Sequence, residues 1–294
     1  MKKFYMILVA IFALATTAQA QMWGTLEVGD WENATTYNGS YFDMAPTNFY
    51  LAHTGAQMLF TPDVLSDLNG KQNVVIRGIY FKYHNESFED ISRVVKIYMQ
   101  EVDETEFAVN EDGVKQFFPI GEQVWEEEAV YELLYSYGED AMMRFPIVAP
   151  LTPGKSLLLT MVFDAQDDDN CTMGSDYAPF YTSGIGGKAM TYTSNWTSFV
   201  DYAMGEHFPD ATATLGCGTN VALPVTEIGY TYEKMRGDVN GDDQVAIADV
   251  TALIDYLLTG DPTGFYEVNA YINNDSSISI ADVTWLIDML LAEE

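Results

Sequence analysis

Oxygen-bearing side chains recur at alternate positions in two polar segments near the C-terminus. In the first segment Asp238, Asn240, Asp242, Gln244 and Asp249 occupy positions 1, 3, 5, 7 and 12 of a twelve-residue loop. Calcium loops place their ligands at this spacing, because alternate residues turn their oxygens toward one point and position 7 contributes its backbone carbonyl. The spacing therefore predicts a calcium site in the first segment.

The second segment aligns with the first when Asp282 is counted as position 12. Its oxygen donors are then Asn273, Asp275, Ser277 and Asp282, and position 1 is Tyr271, which has no carboxylate. The first loop offers three carboxylates and the second loop two. Because the number of charged ligands tunes calcium affinity, the sequence supports an ion in the first loop and leaves a second ion in doubt.

A helical pattern follows each loop, and the two patterns are copies. Residues 281–291 repeat nine of the eleven residues of 248–258. Apolar residues recur at helical spacing, which predicts one apolar face per helix. These residues are Val250, Leu253, Ile254, Leu257 and Leu258 in the first copy and Val283, Leu286, Ile287, Leu290 and Leu291 in the second. Repeated units of this kind usually bury their apolar faces against each other.

The tandem loop-and-helix arrangement resembles the dockerin module, in the form of its type I members. Asp at position 12, the lack of a helix before the loop and the second copy all fit that family. The resemblance covers residues 236–294 and implies calcium binding and docking to a cohesin-like protein. The sequence leaves open whether the partner is another chain or the protein's own β domain.

In dockerins of this type, loop positions 10 and 11 help to choose the cohesin partner. Here these positions hold Ile247 and Ala248 in the first copy and Ile280 and Ala281 in the second. Polar pairs are frequent there in the family, so the apolar pair puts binding to a standard type I cohesin in doubt. Because the two copies carry the same pair, the resemblance predicts a partner surface that is apolar and present twice.

Residues 1–20 have the pattern of a secretory signal peptide. Lys2 and Lys3 precede an apolar run over residues 4–15, and residues 18–20 form a small-x-small cleavage site. The run is too short to span a membrane. The sequence therefore predicts a secreted or cell-surface protein that begins at Gln21 and has no membrane span. Export permits a disulfide between Cys171 and Cys217, and two free thiols are the alternative.

Residues 21–235 show strand patterns. Residues 93–100 alternate between apolar and polar, and residues 73–83 and 156–164 are longer apolar runs. Weaker patterns lie at 49–59, 129–137, 142–148, 189–193 and 225–232. Because no linker divides the region, we expect a single antiparallel β-sandwich, jelly-roll-like, over residues 21–235, and two immunoglobulin-like halves are the alternative. The small α-helical calcium-binding dockerin domain over residues 236–294 follows it.

Composition limits the partners of this β domain. The formal net charge of −31 disfavours nucleic acid and anionic membranes. The sequence has no nucleophile elbow and no zinc-binding helix, and His53, His84 and His207 share no metal-ligand spacing. The acidic runs at 126–128 and 167–169 are more typical of solvated loops than of a site.

Aromatic residues offer one route to ligand binding, because a ring face can stack on the C–H face of a sugar. Those in polar, turn-rich stretches are Tyr37, Tyr41, Phe42, Trp196 and Phe199. Two functions remain for the β domain. The first is a non-catalytic module that binds glycan or protein, and the second is a polysaccharide-degrading glycoside hydrolase, which needs two carboxylates around one bond. The sequence favours the first function, because it shows no catalytic constellation.

Overall fold

The structure is a computed structural model that describes residues 21–36, 44–47, 52–69, 71–85, 91–131, 138–165, 180–194, 199, 217–233, 235–242, 244–273 and 275–292. The predicted signal peptide and Cys171 lie outside these residues. The chain divides into two compact units, Met22–Tyr232 and a second that contains Glu233–Glu294. Within the described residues, no helix is both long and apolar enough to cross a membrane.

The larger unit is built from antiparallel strands. Its strands are β1 (Gln21–Val28), β2 (Thr35–Thr36), β3 (His53–Phe60), β4 (Gln72–His84), β5 (Ile91–Val102), β6 (Glu122–Tyr131), β7 (Asp140–Phe145), β8 (Ala149–Pro150), β9 (Ser156–Asp164), β10 (Tyr181–Thr182), β11 (Ala189–Ser194), β12 (Cys217–Val221) and β13 (Thr226–Glu233). One sheet has the order β1-β13-β4-β7, with β8 beside β4. The other has the order β12-β11-β3-β9-β5-β6, and β2 pairs with β10.

The strand order is that of a jelly roll. Eight strands, β1, β3, β4, β5, β6, β7, β9 and β13, make up the two four-stranded layers. Counted from first to eighth along the chain, they lie in the orders first-eighth-third-sixth and second-seventh-fourth-fifth, which is the double Greek key of this fold. Strands β11 and β12 extend the second layer beside β3. The predicted jelly-roll-like sandwich is confirmed.

The main core lies between the two layers. Phe81 and Phe145 of the first layer and Met58 and Phe163 of the second belong to one buried cluster. The rings of Phe145 and Phe163 meet edge to face, with centroids 6.3 Å apart. Alternate residues of β9 supply this cluster, as the period of two requires: Leu157, Leu159, Met161 and Phe163.

A second apolar cluster covers the outer face of β9 and its neighbours. Leu158 and Val162 of β9 pack there with Phe107 and Phe117 from the segment between β5 and β6. Buried Gln57 of β3 holds that segment, because it donates to the carbonyl of Phe118 at 2.9 Å and accepts from its amide at 2.7 Å. Both faces of β9 are therefore covered, which explains its continuous apolar sequence.

The smaller unit consists of two loops and two helices, α1 (Ile247–Thr259) and α2 (Ile280–Ala292). Its core takes equivalent residues from the two copies: Val239 with Ile272, Val250 with Val283, and Leu253 with Leu286. Helix α1 ends at Gly260, whose φ of 69° is the left-handed conformation that favours glycine after a helix. Neither copy buries its apolar face without the other.

Candidate metal centre and helix faces

Three carboxylates of the first loop converge on one point. The oxygens of Asp238, Asp242 and Asp249 all lie within 4.8 Å of one another. Asp238 and Asp249 are buried, and Asp242 is exposed. Like charges at this distance repel, and burial strengthens the repulsion unless a cation compensates it. Carboxylate oxygens are the ligands that Ca²⁺ prefers, so the donor set fits this ion.

Backbone amides fix these carboxylates in place. Asp238 accepts from the amides of Gly241 at 2.8 Å and Asp242 at 3.1 Å. Asp249, in the first turn of α1, accepts from the amides of Asn240 at 3.1 Å and Ala246 at 2.8 Å. Its negative charge also lies at the favourable, positive end of the helix dipole.

The remaining predicted ligands of the first loop lie beside this trio. Asn240 accepts from the amide of Asp242 at 2.9 Å, and its side-chain amide donates to the Asp242 carboxylate at 2.9 Å. Gln244 is exposed and donates its backbone amide to Asp242 at 3.0 Å. At Gly241, where φ is 74°, a Cβ would lie 2.0 Å from the ring of Tyr266, so the loop has no room for a side chain there.

The second loop has the same shape with a different donor set. Buried Asp282 accepts from the amides of Ile272, Asn273 and Ser279 at 2.8, 3.1 and 2.9 Å. Asp275 accepts from the amide of Ser277 at 2.8 Å. Among the described residues of this loop, no third carboxylate joins Asp275 and Asp282.

The helix faces differ from the prediction in one respect. Val250, Leu253 and Leu257 of α1 face the core, but Ile254 and Leu258 do not, and Leu258 is 79% exposed. In α2, Ile287 is exposed and Leu291 is 66% exposed. The predicted apolar face of each helix is present, but these four residues of it are not buried, because the partner copy covers only half of each face.

The predicted partner residues begin these exposed halves. Ile247 is 72% exposed and Ile280 is 69% exposed. Ala248 is exposed, and Ala281 is half-buried. Within the helices, Ile247 is in line with Ile254 and Leu258, since their spacing of seven and four residues keeps them on one side.

A sequence model of the dockerin type I domain matches residues 236–291. The C-terminal module is a type I dockerin. Type I dockerins bind Ca²⁺, and a dockerin implies a cohesin partner. Proteins that carry dockerins are typically extracellular or on the cell surface.

No curated protein matches the chain. Among solved structures, the chain is similar to one from the infectious bursal disease virus Gt strain, with 12% identity over 83% of this chain and 49% of that chain, at a TM-score of 0.25. It is also similar to the VP2 subviral particle of that virus, with 12% identity over 92% and 55% of the two chains, at a TM-score of 0.23. The chain spans about half the length of these viral chains, and likeness at such scores carries no argument.

Outside the dockerin, two of the three histidines contact aspartates. His53 Nδ1 lies 2.8 Å from Asp164, and His84 Nδ1 lies 2.9 Å from Asp140. Tyr181 donates to Asp140 at 2.6 Å. Burial and the Asp140 carboxylate together raise the pKa of Tyr181 to about 12. The Asp140 contacts tie β10 to β4 and β7, and the His53 contact joins β3 to β9, so both have a structural role.

Of the aromatic residues proposed to stack on a sugar, the structure describes Phe199. Phe199 is fully buried in the second apolar cluster, so its assignment as an exposed stacking ring was wrong. The other four candidates, Tyr37, Tyr41, Phe42 and Trp196, lie outside the described residues, as do His207 and the acidic run at 167–169. The run at 126–128 is exposed on β6.

The sandwich has a cavity that the sequence did not predict. A cavity of about 270 Å³ opens between Met99, Val124 and Leu157, with Glu101 and Glu122 among its lining residues. The two glutamates come from different strands, and only the pairing of β5 with β6 brings them to one place.

Proposed function

We propose that the dockerin is a calcium-stabilised docking device that binds a cohesin-like protein through either of two matching helix faces. The observation that carries this proposal is the exposure of the same apolar residues in both copies. We name the set Ile247, Ile254 and Leu258 the first strip, and the set Ile280, Ile287 and Leu291 the second strip. Contiguous exposed apolar residues mark interaction sites in soluble proteins.

Calcium would stabilise the first loop in this proposal. Asp238, Asn240, Asp242 and Asp249 would hold the ion by their side chains, and Gln244 by its backbone carbonyl. When bound, Ca²⁺ neutralises three carboxylates that otherwise repel one another. Because the site does not exist in the unfolded chain, the free energy of binding becomes free energy of folding. The first loop precedes α1 directly, so calcium would fix the start of the first strip.

The two strips would present equivalent surfaces. The core pairs equivalent residues of the copies, which supports an approximate two-fold relation between α1 and α2. Ala248 and Ala281 flank the strips at their N-terminal ends and complete the predicted partner-binding set. A partner that binds one strip therefore finds the same residues on the other.

Charge helps to choose between another chain and the protein's own β domain as the partner. Residues 236–294 contain twelve acidic residues and one basic residue, Arg236. The rest of the chain is also strongly acidic, since the whole has 44 acidic and 13 basic residues. Like net charges oppose association, which favours a separate protein as the partner.

Substitution of both strips tests the docking proposal. We expect Ile247→Asp with Ile280→Asp to abolish calcium-dependent capture of a partner from the exported proteins of the source organism. Each single variant should keep substantial capture, because the other strip substitutes. Thr263→Asp, at an exposed loop position, controls for the added charge. Full capture by a folded double variant would refute the docking role, and loss of the fold would show that these side chains belong to the core.

For the β domain we propose a non-catalytic role in binding glycan or protein, in a protein exported by its N-terminal signal. The sequence of this domain shows no catalytic constellation, which supports this proposal, whereas the resemblance to dockerins that append catalytic domains supports the alternative. A polysaccharide-degrading hydrolase is the alternative. A carbohydrate screen with product analysis separates the two, because retention without cleavage indicates binding and new reducing ends indicate hydrolysis.

A further inference from the structure

The two calcium-type loops share two backbone hydrogen bonds to position 12. Position 12 accepts from the amide at position 3 at 3.1 Å in both loops, Asn240 to Asp249 and Asn273 to Asp282. It also accepts from the amide at position 9, at 2.8 Å in the first loop and 2.9 Å in the second. Asp282 additionally accepts from the amide of Ile272 at 2.8 Å, so only the shared bonds give no reason for the loops to differ in metal binding.

The side chains that face the carboxylates do differ. In the first loop the side-chain amide of Asn240 donates to Asp242, and positions 7 and 9 hold Gln244 and Ala246, which have no hydroxyl group. Three carboxylates share this site. Their negative charge is left for a cation to balance.

In the second loop, hydroxyl groups occupy those two positions. Ser277 donates its hydroxyl to Asp275 at 3.1 Å, and Ser279 lies with its hydroxyl 3.4 Å from Asp282. The side-chain amide of Asn273 donates to the other Asp275 oxygen at 2.7 Å. Side-chain donors therefore reach both carboxylates of this loop. Hydrogen bonds from these neutral donors stabilise negative charge that a cation would balance in the first loop.

The residue at position 1 of the second loop makes its side-chain hydrogen bond outside the loop. Tyr271 donates its hydroxyl to Glu267 at 3.0 Å, outside the loop. The loop thus lacks the ligand that opens the calcium sequence, and its two carboxylates do not fit the ion as the first three do.

We infer that the second loop is a metal-free copy, closed by its own hydrogen bonds, and that the dockerin takes a single calcium ion. This inference rests on the proposed function and deepens it, since it assigns the calcium dependence of docking to the first loop alone. The second copy then acts as a calcium-independent support for the first.

Contacts between the copies show how that support works. Asn269, which is buried just before the second loop, donates its side-chain amide to the carbonyl of Asp238 at 2.5 Å. Its own carbonyl accepts from the amide of Gly237 at 3.0 Å, and the amide of Tyr266 donates to Val239 at 2.8 Å. The segment before the second loop therefore holds the start of the calcium loop in register.

Native mass spectrometry of the mature full-length chain in calcium chloride tests the inference. We expect Asp238→Asn to lose one calcium ion relative to the unchanged chain and Asp275→Asn to lose none. Restoring the missing carboxylate with Tyr271→Asp should add one ion. Tyr271→Asn is the matched control, because it removes the ring without adding charge, and it should add none.

Loss of one ion in both Asp238→Asn and Asp275→Asn would overturn the single-ion inference while leaving calcium-dependent docking intact. No gain of calcium by a folded Tyr271→Asp variant would overturn the account of why the second loop lacks the ion. Loss of no ion in Asp238→Asn would instead refute the calcium site of the proposed function, and the inference with it.

Discussion

The two copies of the dockerin repeat are alike in their helices and different in their loops. Their helices keep the same buried residues and the same exposed strips, whereas their loops differ in carboxylate number and hydroxyl donors. The comparison indicates that docking and loop stabilisation place different demands on the two copies. The proposed two-fold docking surface needs both helices. A loop needs a metal ion only where hydrogen bonds do not compensate the charge of its carboxylates.

Packing explains why one ion can serve both helices. Leu253 of α1 and Leu286 of α2 are fully buried in the same cluster, so each helix holds the other in place. Burial of a leucine side chain contributes about 1.5–3 kcal/mol. An ion bound at the first loop therefore stabilises the whole module through this core.

Removal of the position-12 carboxylate should separate the loops most strongly. We expect Asp249→Ala to abolish most of the calcium-dependent helicity, because it removes one of the three carboxylates and leaves the amides of Asn240 and Ala246 without their acceptor. Asp282→Ala should destabilise the module by about 1–3 kcal/mol through its lost hydrogen bonds, equally with and without calcium. Circular dichroism in calcium and in chelator, with titration calorimetry, measures both effects.

Equal losses of calcium binding in these two variants would contradict the difference between the loops. Asp255→Ala provides a control, since this aspartate is exposed on α1 and outside the carboxylate trio. It should leave calcium binding unchanged.

Equivalent substitutions in the two helices should change stability by equal amounts, unlike those in the loops. We expect Leu253→Ala and Leu286→Ala each to cost about 3 kcal/mol, as for leucines in other cores, because the two residues occupy equivalent places in one cluster. The matched variants Leu258→Ala and Leu291→Ala remove the same atoms from exposed positions and should cost less than about 0.5 kcal/mol. Thermal unfolding in excess calcium measures all four. A large cost at the exposed pair would mean that the strips are part of the core.

Much of the sandwich could be predicted from local pattern. The run at 156–164 coincides with β9, and the patterns at 73–83 and 93–100 lie within β4 and β5. Strand β1 was missed although Leu26 and Val28 alternate with Thr25 and Glu27, and strand β12, which has no such alternation, was also missed. The cover on the outer face of β9 was also not predictable, since it depends on Gln57 contacting a segment about 60 residues away.

The dockerin shows the same limit on a smaller scale. Spacing alone predicted the first loop, and the three carboxylates do converge. Helical periodicity placed Ile254 and Leu258 on the apolar face, but it could not show which part of that face the other copy covers. The serine hydroxyls of the second loop gave no signal, because Ser277 and Ser279 are also acceptable calcium-loop residues.

Hydrogen exchange of three matched pairs of amides tests the central claim most directly. The pairs are Asn240 with Asn273, Gln244 with Ser277, and Ala246 with Ser279, and the two members of each pair make equivalent hydrogen bonds. If calcium binds only at the first loop, chelation should lower protection of both members through the shared core, and of the first member by roughly tenfold more, because its acceptor carboxylates lose the ion directly. Equal loss of protection in the two loops would contradict the claim.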